Sequence, residues 1–405
     1  MSKQAGGRGT AEGSAAEVLR VFLGLGLTSF GGPVAHLGYF RDELVERRRW
    51  LDERSYADLV ALAQFLPGPA SSQVGMALGQ LRAGYAGALA AWLGFTLPSA
   101  IALVLFAYGV SAIGDAAGSG WLHGLKVAAV AVVAQAVLAM ARSLAPDRQR
   151  ATLAVASAVV VLLVPTAWAQ IAAIVLGAIA GVAMLRAAPV EGAHVVLPVR
   201  VSRMAGALML AGFLALLAGL PVLAAAVPAQ TILLVDAFYR AGSLVFGGGH
   251  VVLPLLQAEV VPTGWVTSDA FLAGYGATQA VPGPLFTFAA YLGAVMGPQP
   301  NGWLGAVICL GAIFLPSVLL MLGALPFWDA LRRQPVAQAA LKGVNAAVVG
   351  VLLAALYHPV WTAGIHTGRD FALGAVAFLL LHIWKVPPWI VVVLSALGGA
   401  ALAAV

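Results

Sequence analysis

Apolar residues run through this chain in stretches of about twenty, separated by short polar turns, from residue 17 nearly to the C-terminus. That is the length an α-helix needs to cross ~30 Å of hydrocarbon. Segments are predicted near 17–40, 57–80, 84–110, 121–141, 151–164, 167–186, 204–227, 231–253, 271–297, 302–324, 336–357, 370–384 and 387–404. Four of them carry helix breakers in their interiors: Gly31-Gly32-Pro33, Pro67-Gly68-Pro69, Gly247-Gly248-Gly249 and Pro282-Gly283-Pro284. Pro removes an amide donor and obstructs the preceding turn, while Gly adopts backbone conformations a helix never uses. Inside a bilayer such breaks survive only where they are buried in protein or line a polar cavity. These segments are therefore expected to be re-entrant hairpins, with kinked complete spans as the alternative.

The breaks belong to a repeat. Phe30-Gly31-Gly32-Pro33, Trp50, Gln64 and Pro67-Gly68-Pro69 recur as Phe246-Gly247-Gly248-Gly249, Trp265, Gln279 and Pro282-Gly283-Pro284; each Trp precedes its Pro-Gly-Pro by 17 residues. Leu97-Pro98-Ser99 matches Leu315-Pro316-Ser317, and Gly124 with Lys126 matches Gly343 with Asn345. The first repeat is placed at 17–186, a linker loop with one connecting span at 187–230, and the second repeat at 231–404. One connecting span inverts the second half, and charge agrees, because Lys and Arg gather in cytoplasmic loops. Arg41, Arg47, Arg48, Arg49 and Arg54 occupy a loop whose counterpart, Pro254 to Asp269, has no Lys or Arg. Arg142, Arg148, Arg150, Arg186, Arg200, Arg203, Arg332 and Arg333 fall on the same side, and the loop from Ser111 to Gly120 falls outside. The expected fold is an all-α polytopic membrane protein of two homologous inverted-topology repeats with about 13 membrane segments, the halves rocking against each other for alternating access.

Composition narrows the function classes. With 61% hydrophobic and 9% charged residues and a mean hydropathy of +0.95, the chain has too few charges to cover a soluble surface, so the lipid bilayer is its first partner. The single Cys309 excludes an intrachain disulfide and a thiolate metal cluster. No Walker loop or metalloprotease spacing is present, and the net charge of +6 forms no nucleic-acid patch. Neither an enzyme, a cofactor nor a resident metal is expected. A homodimer is compatible with this reading, although no residue argues for it.

Candidate chemistry gathers at the breaks. The second half of a broken helix presents unpaired amides with partial positive charge, a ready site for an oxyanion. The candidate contacts are Ser29, Gly31, Gly32, Pro33, Gln64, Pro67, Gly68, Pro69 and Gln73 in the first repeat, with Gly247, Gly248, Gln279, Pro282, Gly283 and Pro284 in the second. Thr28, Ser71, Ser72 and Thr287 lie beside them; any such side chain could instead cap a hairpin or bond between helices. Gln64 and Gln279 stand out because both sit three residues before Pro-Gly-Pro. Ionisable residues in apolar segments cost at least ~2.5 kcal/mol at the bilayer centre, so each calls for a reason. Asp236 and Arg240 are spaced as an ion pair on one helical face. Lys126 has no local acid, and His36 and His250 follow the two Phe-Gly-Gly turns; all five are candidates for charge or proton coupling.

These residues resemble a known family. Ser29-Phe30-Gly31-Gly32-Pro33 with His36 and Gly38, Trp50, Leu62-Ala63-Gln64, Leu66-Pro67-Gly68-Pro69, and the second copy with Gln279-Ala280-Val281-Pro282-Gly283-Pro284 are similar to the chromate transporter family in its long, two-domain form. The resemblance implies a multi-pass protein of the bacterial inner membrane that exports chromate, driven by the membrane potential or proton gradient. Sulfate is a tetrahedral dianion of similar size, so a sulfate transporter or a passive oxyanion channel of the same architecture is the alternative. Gly249 in place of Pro33, and no His matching His36, leave the first repeat expected to carry more of the substrate contacts.

Overall fold

A computed structural model of the chain describes residues 13–113, 120–164, 166–185 and 201–404. The predicted Ser111–Gly120 loop and the linker with Arg186 and Arg200 lie largely or wholly outside these residues. The first half contains α1 (Ala15–Thr28), α2 (Gly32–Phe40), α3 (Glu53–Phe65), α4 (Ala70–Ile113), α5 (Gly120–Leu144), α6 (Arg148–Leu163) and α7 (Ala167–Met184). After α8 (Arg203–Ala226) come α9 (Gln230–Ser243), α10 (Val252–Val260), α11 (Ser268–Thr278), α12 (Phe288–Val295) and α13 (Gly302–Ala324). The chain closes with α14 (Trp328–Leu331), α15 (Pro335–Ala355), α16 (Thr362–Gly364), α17 (Gly368–His382) and α18 (Pro388–Ala403). Every predicted apolar segment is helical, in one piece or two. Among the described residues six helices are long and apolar enough to cross a membrane by themselves, as a polytopic membrane protein requires.

The four interrupted segments fold back on themselves. In a continuous helix Phe22 and Phe40 would stand about 27 Å apart; instead their rings pack at 5.4 Å, because the chain reverses at Gly31 (φ +100°) and Gly32 (φ +80°). The second hairpin reverses at Gly68 (φ +121°) and returns to Arg82, which pairs with Glu17 at 3.0 Å and lies 5.2 Å over the Trp50 ring. Both hairpins thus begin and end together. In the second half, Arg240 of α9 meets Glu259 of α10 at 2.9 Å, and the Phe271 and Phe288 rings meet at 5.0 Å across the turn at Gly283 (φ +97°). Left-handed backbone of this kind excludes most side chains, which accounts for glycine at each reversal.

The bases of the two hairpin pairs lie far apart. Beyond the break at Ala83–Gly84, α4 runs from Gly84 to Tyr108, about 36 Å, and Tyr108 packs against Trp303 at 6.3 Å, beside the second base. Helix α13 runs back from there, and Arg332 just beyond it pairs with Asp58 of α3 at 3.1 Å. The turning points meet between these ends. The Gly68 N–H donates to the Val245 carbonyl at 2.7 Å, and the Gly283 N–H donates to the Ser29 carbonyl at 2.9 Å. A Cβ on Gly68 would strike Ser317 Oγ, and one on Gly283 would stand 2.8 Å from Ser99 Oγ. Each half's Pro-Gly-Pro therefore docks on the other half's Phe-Gly-Gly and Leu-Pro-Ser.

The later helices exchange as well. Helix α5 packs on α18 through Gly124 and Gly399, and α15 packs on α7 through Gly343, Gly177 and Gly181. One group of helices, α5–α7 with α15, α17 and α18, and a second, the hairpins with α4 and α13, each draw on both halves. Rocking of one half against the other would break both exchanges, so the rocking expected from the repeat is corrected: the contacts divide the protein into groups, not halves.

Gly68→Val and Gly283→Val should each destabilise the protein by more than ~2 kcal/mol, combining backbone strain with a blocked dock. Gly32 has open space around an added Cβ, so Gly32→Ala should cost only about 1 kcal/mol. Thermal unfolding in detergent, with membrane abundance, will check that order; equal losses at the three positions would refute the docking account.

Candidate substrate cavity at the four helix breaks

Between the two helix groups lies a cavity of about 940 Å³. Its wall takes Gly31, Gly32 and Pro33 from the first break, Gln64 and Gly68 from the second, Gly247–Gly249 from the third, and Gln279 and Gly283 from the fourth. The opposite wall is one face of α5, with Val132, Gln135, Ala136, Ala139, Met140, Ser143 and Leu144, joined by Leu341 and Asn345 of α15. The α5 residues come from its C-terminal half and those of α15 from its N-terminal half. Both lie toward the end where Arg148, Arg150, Arg332 and Arg333 cluster.

Chemically the wall is neutral and polar. Among the described lining residues there is no Lys, Arg, Asp or Glu, and His250 is the one titratable group. Helix α2 starts at the wall with Gly31 as its N-cap and no side-chain cap, leaving its first amides for a ligand. Gln279 Nε2 and Asn345 Oδ1 are buried with no protein partner. An unmade hydrogen bond of that kind costs about 1–3 kcal/mol, and a tetrahedral oxyanion would accept from the Gln279 amide and from the α2 amides. His250 Nδ1 is 2.8 Å from the Tyr275 hydroxyl, which fixes the ring at the start of the 249–251 turn.

The structure divides the sequence candidates. Gly31, Gly32, Pro33, Gln64, Gly68, Gly247, Gly248, Gln279, Gly283 and His250 line the cavity. Pro67, Pro69, Pro282 and Pro284 shape the turns without reaching the wall. Gln73 turns inward, its Nε2 donating to the Pro67 carbonyl at 2.7 Å, and Ser29 serves through its carbonyl. His36 sits behind the wall, 3.3 Å from Ser71 Oγ and against the Phe95 ring. Asp236 pairs with Arg240 at 3.0 Å, away from the cavity, with Glu259 as a second acid. Lys126 does have an acid, Asp269 at 2.9 Å, contributed from 143 residues away.

Four polar wall residues were not candidates: Gln135, Ser143, Thr278 and Asn345. Their signal was present in part, since Val132, Gln135, Ala136, Ala139 and Ser143 follow a helical three-four spacing that sets two polar groups on a small-residue stripe.

The family model described as "Chromate transporter" matches the chain twice, at residues 16–182 and 232–400. The chain is 30% identical to a chromate transport protein of Pseudomonas aeruginosa over 94% of its own length and 90% of that protein's. It is 26% identical to a probable chromate transport protein of Synechococcus elongatus, covering 95% and 94%, and 27% identical to a chromate transport protein of Cupriavidus metallidurans, covering 84% and 81%. No solved structure matches the chain significantly. A polytopic helical protein matched over both halves by this family and by full-length relatives belongs to the chromate transporter family.

Proposed function

We propose that this protein is a secondary active transporter of the bacterial inner membrane that exports chromate through the cavity at the four breaks. The observation that carries the reading is a neutral, donor-bearing cavity walled by all four turning points and closed toward the second hairpin base, where α5 packs on α11. A cavity closed at one end suits alternating access and speaks against an open channel. The absence of a Walker loop from the sequence favours coupling to an ion gradient or the membrane potential. Membership of a transporter family favours transport over an enzyme reading.

Two repeats, 17–186 and 231–404, joined by 187–230 and inverted in the membrane, fit the double family match and the opposite ends at which the hairpin bases lie. In this reading the hairpins enter and leave on one side, the first pair from the cytoplasm beside its Arg-rich loop. The Gly31, Gly32, Pro33, Gln64, Gly68, Gly247, Gly248, Gln279 and Gly283 wall, with Asn345, contacts the dianion. Pro67, Pro69, Pro282 and Pro284 hold the turns. Neutral donors read charge and tetrahedral shape, which chromate and sulfate share, so sulfate is a competing cargo.

Radiolabelled chromate should accumulate in energised everted vesicles, collapse with an uncoupler and fall when sulfate is added. Uptake that never exceeds equilibrium would replace the transporter with a channel. Gln279→Leu, which removes the Nε2 donor, and Asn345→Leu, which removes the Nδ2 donor, should each weaken chromate transport by about 10- to 100-fold, as loss of a hydrogen bond to a charged group predicts, with membrane abundance unchanged. Wild-type affinity in both variants would remove these residues from the site.

A further inference from the structure

The two ends of the cavity axis are built from matching residues in different states. Lys126 of α5 matches Asn345 of α15 in the repeat, and Asp269 at the start of α11 matches Arg54 near the start of α3. At the closed end α11 packs directly on α5: a Cβ on Gly276 would collide with the Leu125 carbonyl, and Lys126 Nζ lies 2.9 Å from Asp269 Oδ1. At the open end the counterpart of Gly276 is Ala61, which faces the cavity, and Asn345 faces it from the other wall. Helices α3 and α15, the counterparts of α11 and α5, have no comparable packing. The same pair of surfaces is shut in one half and parted in the other.

We propose that Lys126 is a substrate-contacting residue of the opposite-facing state, held out of use here by Asp269. When α11 parts from α5, Lys126 takes the position toward the bound dianion that Asn345 holds in the present state, and α3 closes on α15. The Lys126–Asp269 pair is then the outer gate. Exchange of a neutral amide for an ammonium group gives the two sides of the cycle different chemistry: amide donors on the Arg-rich side, a cation on the other. The Lys side chain is 12% exposed and that of Asp269 76%, so the acid sits at the mouth and the cation points into the protein. This inference rests on the transporter reading above.

The test uses full-length protein with Cys309→Ser in everted vesicles. Lys126→Cys with Asp269→Cys transports less than wild type because it lacks the proposed contact; bridged by a short, reducible bis-methanethiosulfonate, it should fall from that reduced uptake to background and return to the reduced level, not the wild-type level, on reduction. Separately, Asp269→Asn should free the gate, and a reporter cysteine from Asn345→Cys should then react about two- to fivefold more slowly with an impermeant maleimide from the cytoplasmic face, the scale set by one partly exposed ion pair. Undiminished uptake in fully bridged protein, or labelling unaltered by Asp269→Asn, would overturn the gate. The labelling arm reads conformation without cargo, so a wild-type protein that fails to move chromate would sink the transport reading while this arm still decides the gate.

Discussion

Broken backbone in an apolar medium must find its hydrogen bonds inside the protein, and here each break finds them in the other half. The Gly68 amide ends on Val245 and the Gly283 amide on Ser29. Because these acceptors immediately precede the Phe-Gly-Gly turns, the four turning points are drawn to one place. The cavity, its neutral wall and the separation of the hairpin bases all follow from that reciprocal docking. Glycine is required at the docks twice over, for positive φ and for clearance from Ser317 and Ser99.

The exchange continues outward through small-residue contacts. In a bilayer there is no hydrophobic drive between helices, so close backbone approach supplies the attraction. Gly124 against the α18 backbone and Gly343 against α7 provide it at matched positions. The packing of the molecule consequently divides it between helix groups and not between sequence halves. Charge is distributed to suit: Arg82–Glu17 ties the two hairpins of the first pair together and Arg332–Asp58 ties them to the segment after α13, while the cavity keeps only uncharged polar groups and one histidine.

A site without fixed cations has a physical advantage for a carrier. In the proposed reading, amide and helix-terminus dipoles hold a dianion while permitting release in this state, and the Lys126 cation reaches it only in the opposite-facing one.

The sequence by itself determined the all-helical membrane class, the repeat, and the four breaks that wall the candidate cavity, because hydropathy and helix-breaking chemistry are local properties. Gln64 and Gln279 were legible through their repeated offset, and both reach the wall. Tertiary structure alone decided what long-range packing decides. It joined Lys126 to an acid 143 residues away, turned Gln73 from the wall to its own hairpin, and brought Gln135, Ser143 and Asn345 into the site from helices without a motif. A side chain's distance from a break along the chain does not say which helix will face that break, and in this protein the facing helices come from both halves.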